Sequence, residues 1–227
     1  MNRPSWHEYF MLLAKLVSVR STCNVRKIGA VIVRNNRILA TGYNGAVHGA
    51  PHCIDHGPDF CLRRSIGAHD AEKYNYCVSS HAEVNAIDQA ARFGISLDGA
   101  AVYCTLEPCN WCFKQLIQAG IKAIYFEEAY ESKNKEFDQY WRSIMESSES
   151  IRVFEQIGVS NEALDMVISV LQGTSQRAMP ATSPADSGEL RMERLEEFMH
   201  SNLTENPGQA LTNRQAGHMD TARKDNS

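Results

Sequence analysis

The spacing of apolar residues alternates between the helical and the strand period along most of the chain. Residues 6–21 carry large apolar side chains three and four positions apart, which predicts an amphipathic first helix that packs on a sheet. Residues 28–45 form two apolar runs joined by Asn35 and Asn36, and asparagine tolerates the positive φ angles that a tight hairpin needs. We therefore predict a helix followed by a β-hairpin.

The middle of the chain predicts a β-α-β unit. Residues 100–105 and 121–126 are short apolar runs of the kind found in buried strands. Between them we predict a helix that begins at Pro108 and ends at Gly120, because helices favour proline at the start and glycine just past the end.

Further elements complete the pattern. A helix is predicted from Ser80 to Gly94, a glycine that follows the last apolar residue as a C′ residue should. A final strand near residues 151–155 and a short helix over residues 161–172 come after the β-α-β unit. Together the elements predict an α/β fold of three layers, α/β/α, that ends near Gln172.

Two segments lack this periodicity. Residues 46–80 are rich in Gly, Pro, His and Cys, and a connection of that length is usually functional, disordered or organised by another group such as a metal. Residues 173–189 are rich in Ser, Thr, Pro and Ala, which predicts a linker. We expect one domain over residues 1–172 and a largely disordered linker and tail over residues 173–227, with a helix at residues 190–203.

Composition places the chain among ordinary globular proteins. Hydrophobic residues make up 43% and charged residues 22% of the 227 residues. No apolar run approaches the roughly 20 residues that a membrane-spanning helix needs, and no secretory signal is recognisable, so we expect a cytoplasmic protein. The formal net charge of -4 provides no basic field for a nucleic-acid backbone, which favours a small substrate.

Cysteine usage points to metal binding or catalysis. Seven cysteines are an odd number for a disulfide framework, and the cytosol is reducing. Cys109 and Cys112 lie at i and i+3 in the first turn of the predicted helix, where the helix dipole favours the thiolates that bind zinc. A lone C-x-x-C also fits a redox motif, half of a structural zinc site or two buried cysteines.

The sequence SSHAEVNAI, residues 79–87, has two interpretations. Ser80 followed three residues later by Glu83 fits a capping box, in which the two side chains bind backbone N–H groups at a helix start. His81 and Glu83 also fit part of a metal site, with the histidine as a ligand and the carboxylate beside it.

The combination of H-A-E with P-C-x-x-C favours the metal site. If both helix starts lie at one edge of a parallel sheet, His81, Cys109 and Cys112 supply three zinc ligands and leave a fourth position for water. Glu83 then serves as general acid and base beside that water. These two motifs are typical of zinc-dependent nucleobase deaminases, and the backbone N–H of Ala82 is a suitable donor to a ring carbonyl.

Five segments together resemble the deoxycytidylate (dCMP) deaminase family, which includes bacterial late-competence and T-even phage members: GAVIV, TGYNG, SSHAEVNAI, TLEPCNWC and QAGIKAIYF. The resemblance covers roughly residues 5–160, which makes the predicted domain over residues 1–172 the catalytic domain. It implies a cytidine-deaminase-like fold with a central mixed sheet of about five strands. It also implies zinc-dependent hydrolysis of dCMP to dUMP and ammonia, which supplies dUMP for thymidylate synthesis.

The resemblance extends to assembly, regulation and substrate contacts. It implies a homo-oligomer, expected to be a hexamer, with dCTP as an activator and dTTP as an inhibitor. Asn44 of TGYNG matches a position that binds the sugar, and Arg92 and Tyr130 match positions that help to hold the substrate. The residues by themselves also fit a plain turn for Asn44, a solvated helix residue for Arg92 and a strand-end aromatic for Tyr130.

A second, structural zinc is implied by the resemblance to the phage members. Cys23 and Cys53 match two of its ligands, and we expect Cys77 to be a third. The chain offers several candidates for the fourth ligand: His52, His56, Cys61 and His69. Buried free cysteines in an ordered loop are the alternative.

Two other functions stay open on the sequence. One is deamination of another cytosine nucleotide, such as dCTP or cytosine in nucleic acid. The negative net charge of the chain argues against the basic groove that a nucleic acid needs. The other is a zinc-stabilised nucleotide-binding module without catalysis. Glu83 discriminates between enzyme and module, since a binding module has no need of a carboxylate beside an open metal position. Neither a membrane nor a nucleic acid is expected as a partner.

Overall fold

The computed structural model describes residues 3–69, 73–130 and 135–173. The chain divides into two units, Met1–Gln176 and Arg177–Ser227, and all described residues belong to the first. The helix predicted at residues 190–203 and the tail around it therefore lie outside the described residues.

Seven strands are present among the described residues, five in a main sheet and two in a small one. In chain order they are β1 Gly29–Arg34, β2 Arg37–Tyr43, β3 Gly45–Ala46, β4 Ser79–Ser80, β5 Ala101–Leu106, β6 Ala123–Glu128 and β7 Val153–Gln156. The main sheet has the order β2-β1-β5-β6-β7. Because β1 pairs antiparallel with β2 and β5 whereas β5, β6 and β7 are parallel, the sheet is mixed.

The helices connect these strands. In chain order they are α1 Trp6–Ser18, α2 Leu62–Ser65, α3 Lys73–Tyr76, α4 Ala82–Arg92, α5 Asn110–Gln118, α6 Lys135–Glu146 and α7 Asn161–Leu171. A short 3-10 helix spans Cys53–His56. Across the described ranges, none of the helices has the length and apolar character needed to cross a membrane.

The main sheet separates two apolar layers. Val31 and Val33 of β1 pack with Phe10 and Met11 of α1 on one face. The alternate residues of β1 pack with α4 and α5 on the other face, as the two-residue period of a strand requires. The predicted three-layer α/β/α arrangement is confirmed.

Local turn predictions are confirmed at several points. Asn35 and Asn36 have φ angles of 52° and 57° and join β1 to β2, as expected for a tight hairpin turn. Gly94 follows the end of α4 with a φ angle of 67°, the left-handed conformation of a C′ glycine.

The start of α4 differs from the prediction. Ser80 belongs to β4, where it pairs with Gly45 of β3, and His81 is the N-cap residue of the helix. Because Ser80 is held in a strand, it does not cap α4. The capping-box interpretation of Ser80 and Glu83 is therefore wrong.

The helices after β5 also differ from the sequence prediction. α5 begins at Asn110 with Cys109 as its N-cap, so its start lies two residues beyond the predicted Pro108. α6 was not predicted, although its apolar positions recur at helical spacing. Trp141 and Met145 of α6 pack against the core formed by α4, α5 and the sheet.

α4 is fixed against the edge strand β2. The side-chain amide of Asn85 donates to the backbone oxygen of Tyr43 at 2.7 Å, and Gln89 Oε1 accepts from the backbone N–H of Thr41 at 2.7 Å. A Cβ atom on Gly42 would lie 2.1 Å from the backbone oxygen of Ala82, so only glycine permits this close approach. These contacts fix the position of the first turn of α4.

Candidate metal centre

The starts of α4 and α5 carry the predicted metal ligands. His81 is the N-cap of α4 and Cys109 is the N-cap of α5. We expected neighbouring parallel strands to bring the two helix starts together, and this expectation is wrong. α4 follows β4 of the small sheet, so the packing of α4 against β2, rather than a parallel β-α-β connection, sets the position of His81.

Three side chains from these helix starts form a metal-ligand set. His81 Nδ1 lies 3.2 Å from Cys112 Sγ and 3.5 Å from Cys109 Sγ. The three donor atoms all lie within 4.8 Å of one another. In the part of the chain that the structure describes, this is the only group of three or more His, Cys, Asp or Glu donors with that spacing.

The donor set fits zinc. Zn–S and Zn–N bonds of about 2.3 and 2.0 Å in a tetrahedral site place the donor atoms about 3.5 Å apart, close to the distances seen here. Structural zinc sites use four protein ligands, whereas catalytic sites use three and keep one position for water or substrate. Among the described residues, the set of His81, Cys109 and Cys112 has the three ligands that are typical of catalytic sites.

Glu83 lies in the first turn of α4, two residues after His81. It is 4% exposed, and burial raises the pKa of its carboxyl to about 7. The positive field of His81 opposes this rise and the Cys109 thiolate adds to it. A carboxyl group with a pKa near 7 can both take up and release a proton at neutral pH.

The pKa values of the two ligand thiols are shifted in opposite directions. A hydrogen bond from Cys112, assisted by His81, lowers the pKa of Cys109 to about 4. The bond to Cys109 and burial raise the pKa of Cys112 well above its ordinary value. Cys109 is thus a thiolate at neutral pH, the form that binds zinc. Burial also raises the pKa of Cys104 on β5, which the sequence analysis did not single out.

The chain matches the family model described as the cytidine and deoxycytidylate deaminase zinc-binding region over residues 4–128. That span includes the three candidate ligands and Glu83. The chain belongs to this deaminase family. The predicted family resemblance is confirmed.

Individual relatives agree with the family. ComE operon protein 2 of Bacillus subtilis is 41% identical over 166 residues, which cover 73% of this chain and 75% of that protein. The deoxycytidylate deaminase of Schizosaccharomyces pombe is 39% identical over 128 residues, 56% of this chain, and the chain spans only 38% of that relative's length.

A solved structure supports the fold. The dCMP deaminase from the cyanophage S-TIM5, crystallised in complex with dCMP and dUMP, is 29% identical to this chain. The match has a TM-score of 0.51 and covers 69% of this chain and 100% of the phage chain. The predicted cytidine-deaminase-like fold with a five-stranded mixed sheet is confirmed.

Asn44 of this deaminase-family chain is 6% exposed, and its side chain already has several partners. Its Oδ1 accepts from Ser21 Oγ at 2.7 Å and from the backbone N–H of Ile28 at 2.8 Å. Its Nδ2 donates to the backbone oxygen of Arg26 at 2.9 Å. Asn44 therefore fixes the segment before β1, and only its second amide hydrogen remains for the predicted contact with the sugar.

Ala82 and Arg92 lie at opposite ends of α4. Ala82 is fully buried and is the first residue of the helix, where a backbone N–H has no acceptor within the helix. Arg92 is exposed at the last turn. Ten residues of helix place it about 15 Å along the axis from Ala82. The structure of one chain does not bring Arg92 to the ligand set.

Tyr130 follows β6 and is held by two residues that the sequence analysis missed. Its backbone N–H donates to Glu107 Oε2 at 2.8 Å, and its backbone oxygen accepts from Arg142 Nη2 at 2.7 Å. Glu107 belongs to the quoted TLEPCNWC segment, but no local pattern indicates its partner. Arg142 lies 35 positions further along, on the helix that was not predicted.

Cys23, Cys53 and Cys77 do not form a second metal-ligand set among the described residues. The amide of Asn24 instead organises part of the loop. Its Nδ2 lies within hydrogen-bond distance of three backbone oxygens, those of Cys53 at 3.2 Å, Gly57 at 2.7 Å and Phe60 at 3.0 Å. No sequence pattern around Asn24 predicts that its side chain binds these backbone oxygens.

Proposed function

We propose that the chain catalyses the hydrolytic deamination of dCMP to dUMP and ammonia, with zinc held by His81, Cys109 and Cys112. The observation that carries this function is the ligand set with the buried Glu83 beside it. Deoxycytidylate deaminases among the relatives, and a related solved structure with dCMP and dUMP bound, support the choice of substrate.

The three ligands would hold the metal at the paired helix starts. When bound, zinc acts as a Lewis acid that lowers the pKa of a water molecule toward about 7. The N-terminal ends of α4 and α5 add positive potential at this point, which favours the thiolate ligands. Because the described residues supply three ligands, a metal held by them would have room for a water molecule and the substrate.

Glu83 moves the protons of the reaction. Its carboxylate takes a proton from the water that attacks C4 of cytosine and donates it to N3 of the ring. The second proton goes to the amino group as the C4–N bond breaks, so that water and dCMP give dUMP and ammonia. The pKa of about 7 suits a group that must accept and donate in one cycle.

Backbone and side-chain donors would orient the nucleotide. The N–H of Ala82 donates to the ring carbonyl at C2, and the second amide hydrogen of Asn44 donates to the sugar. Tyr130 contributes to the wall of the site beyond β6. Arg92 reaches the substrate only from a neighbouring copy, because α4 separates it from the ligand set of its own chain.

Assembly and regulation belong to the same proposal. A homo-oligomer, a hexamer by resemblance, is supported by large exposed apolar side chains: Trp6, Leu16, Phe93 and Leu171. Activation by dCTP and inhibition by dTTP rest on the family resemblance, as does a second, structural zinc, for which Cys23, Cys53 and Cys77 do not form a ligand set among the described residues. Seven cysteines without a disulfide suit a cytoplasmic protein.

Ammonia release tests the function directly. Purified chain is offered dCMP, CMP, dCTP, deoxycytidine and single-stranded DNA in parallel, with and without a zinc chelator. We expect turnover of dCMP well above the others, abolished by the chelator and restored by zinc. No turnover of any substrate, even with added zinc and dCTP, would refute the proposal.

A further inference from the structure

Glu107, which is buried, and Arg142, which is partly exposed, form an ion pair at the edge of the sheet. Arg142 Nε donates to Glu107 Oε1 at 2.9 Å, and Arg142 Nη2 donates to Glu107 Oε2 at 2.8 Å. The side chain of Glu107 is 3% exposed and that of Arg142 is 34% exposed. Such a two-pronged contact has one geometry, because both groups are planar.

The pair fixes both polar backbone groups of Tyr130. The N–H of Tyr130 donates to the Glu107 carboxylate, and its carbonyl accepts from the Arg142 guanidinium. The backbone N–H of Glu107 also donates to the oxygen of Glu128 at 2.8 Å. The segment after β6 is thereby joined to the segment after β5.

This junction lies beside the ligand set. Glu107 precedes the ligand Cys109 by two residues. β5 and β6 are parallel neighbours, so the segments that follow them lie at the same edge of the sheet. Ligands of α/β sheets bind at that edge, where chain segments leave the carboxyl ends of the strands.

Stability alone is a weak reason for this arrangement. Burying the carboxylate and part of the guanidinium costs solvation that their attraction often fails to recover, and well-packed apolar residues often serve stability as well or better. A buried pair does give a single, defined position to the backbone that it binds. The position that it defines here is that of Tyr130.

We propose that Arg142 is a positioning residue that, with Glu107, fixes the backbone of Tyr130 as a wall of the nucleotide site. This inference rests on the proposed function, because it requires dCMP to bind at this edge. Arg142 acts on substrate binding through Tyr130, not on the metal ligands and not on the proton transfers of Glu83.

The test separates binding from chemistry. Arg142→Met alone leaves the Glu107 carboxylate buried without its partner, which can prevent folding. The informative variant is therefore Glu107→Gln/Arg142→Met, which removes both charges. Arg142→Lys keeps the charge and loses the two-pronged geometry. For each variant we measure kcat and KM for dCMP, zinc content, thermal unfolding, and the Kd of dCMP in a Glu83→Gln background.

We expect the double variant to fold and to hold as much zinc as the unmodified chain. Its KM and Kd for dCMP should rise about tenfold, while kcat should change by less than about threefold. This is the result expected when a variant loses binding energy that the ground state and the transition state share. Arg142→Lys gives intermediate values. Arg142→Met should raise KM by a smaller factor in a Tyr130→Ala background than in the unmodified chain, since the effects of substitutions at coupled residues are not additive.

Lys15→Met provides a matched control. Lys15 of α1 forms an ion pair with Glu127, so it contacts the same strand β6 from the opposite face of the sheet. Its loss should leave KM and Kd unchanged. A rise in KM for this variant as large as that for the double variant would overturn the inference, because any disturbance of β6 would then suffice.

The remaining outcomes are also decisive. Active variants with unchanged KM and Kd would refute the inference and leave the proposed function intact. Loss of zinc and of kcat at constant KM would refute it too, because the pair would then serve the metal ligands. An unmodified, zinc-loaded chain that neither binds nor converts dCMP would refute the proposed function and, with it, this inference.

Discussion

Two helix starts carry the same local pattern, S-x-x-E, and the fold uses them in opposite ways. In α1, Ser5 is the N-cap and Glu8 completes a capping box, so that each side chain binds the other residue's backbone N–H. In α4, Ser80 and Glu83 have the same spacing, but Ser80 lies in β4 and His81 is the cap.

The environments of the two glutamates differ accordingly. Hydrogen bonds from Ser160 and Ser5 lower the pKa of the partly exposed Glu8 to about 2. Burial raises the pKa of Glu83 to about 7. The same residue type in the same local pattern is a charged cap at neutral pH in one helix and a buried carboxyl with a pKa near 7 in the other. The comparison teaches that burial, not spacing, decides the chemistry.

The largest effect that we expect comes from Glu83→Gln. An amide cannot take up or release the protons of the reaction, so kcat should fall by on the order of 10²–10⁴-fold. Zinc content should stay at the unmodified level, since the three ligands are untouched. Ammonia release and metal analysis measure the two quantities.

Glu8→Gln is the control for this variant, and its kcat should stay near that of the unmodified chain. If both glutamine variants lost activity equally, or if Glu83→Gln kept full activity, the contrast between the two helix starts would be wrong.

A second effect concerns the glycines against which the two helices pack. A Cβ on Gly42 would lie 2.1 Å from Ala82 O of α4, and a Cβ on Gly29 would lie 2.0 Å from Ala14 O of α1. Alanine at either position should lower the free energy of unfolding by about 1–3 kcal/mol or more, as overpacking does. Denaturant unfolding measures this loss.

Only Gly42→Ala should also lower kcat, because it displaces the helix start that carries His81 and Glu83. Kinetics are compared at a temperature where both alanine variants are fully folded. Equal loss of kcat in Gly29→Ala would mean that the position of α4 has no special part in catalysis.

A smaller effect distinguishes the two serines. Ser5→Ala removes a cap and should lower the free energy of unfolding by about 1 kcal/mol. Ser80 is half-buried, and Ser80→Ala removes no cap from α4, so a smaller change in the free energy of unfolding, within about 0.5 kcal/mol, is expected. Thermal and denaturant unfolding of the two variants, measured side by side, provide the comparison. A larger loss for Ser80→Ala would restore the capping-box interpretation of α4.

The smallest effect is the pH dependence that Glu8 contributes. Because its pKa in the folded chain, about 2, lies below the ordinary 4.5, the ionised carboxylate stabilises the fold. That contribution is complete above about pH 4.5 and is lost as the pH falls toward 2. The difference in Tm between the unmodified chain and Glu8→Gln should therefore shrink over this window. A difference that stays constant from pH 7 to pH 2.5 would contradict the assignment.

Short-range patterns predicted the elements that depend on neighbouring residues. Asn35 and Asn36 predicted the hairpin because asparagine adopts positive φ angles readily, and Gly94 predicted the end of α4 for a similar reason. The motifs H-A-E and P-C-x-x-C named His81, Cys109 and Cys112, which the fold brings together. Each of these patterns spans only a few residues.

The same short-range patterns did not predict contacts between residues that are distant in the sequence. Nothing near Glu107 in the sequence indicates a partner 35 positions away, and the helix α6 that carries this partner was not predicted. In residues 46–80 the sequence suggested a site that the fold does not form. These residues are rich in side chains that can bind metals, yet they form no second ligand set within the described residues. Residue type supplies donors, but only packing brings donor atoms to bonding distance.

The sequence by itself determined the period of each main element, the hairpin turn and the identity of the candidate ligands, because these depend on backbone preferences and residue chemistry. Tertiary structure alone decided that Ser80 joins a strand, that Glu83 is buried and that Arg142 reaches Glu107. The physical reason is that burial and solvation are properties of a position in the packed molecule. A carboxyl group has its pKa set by what surrounds it, and those surroundings come from segments distant in the chain.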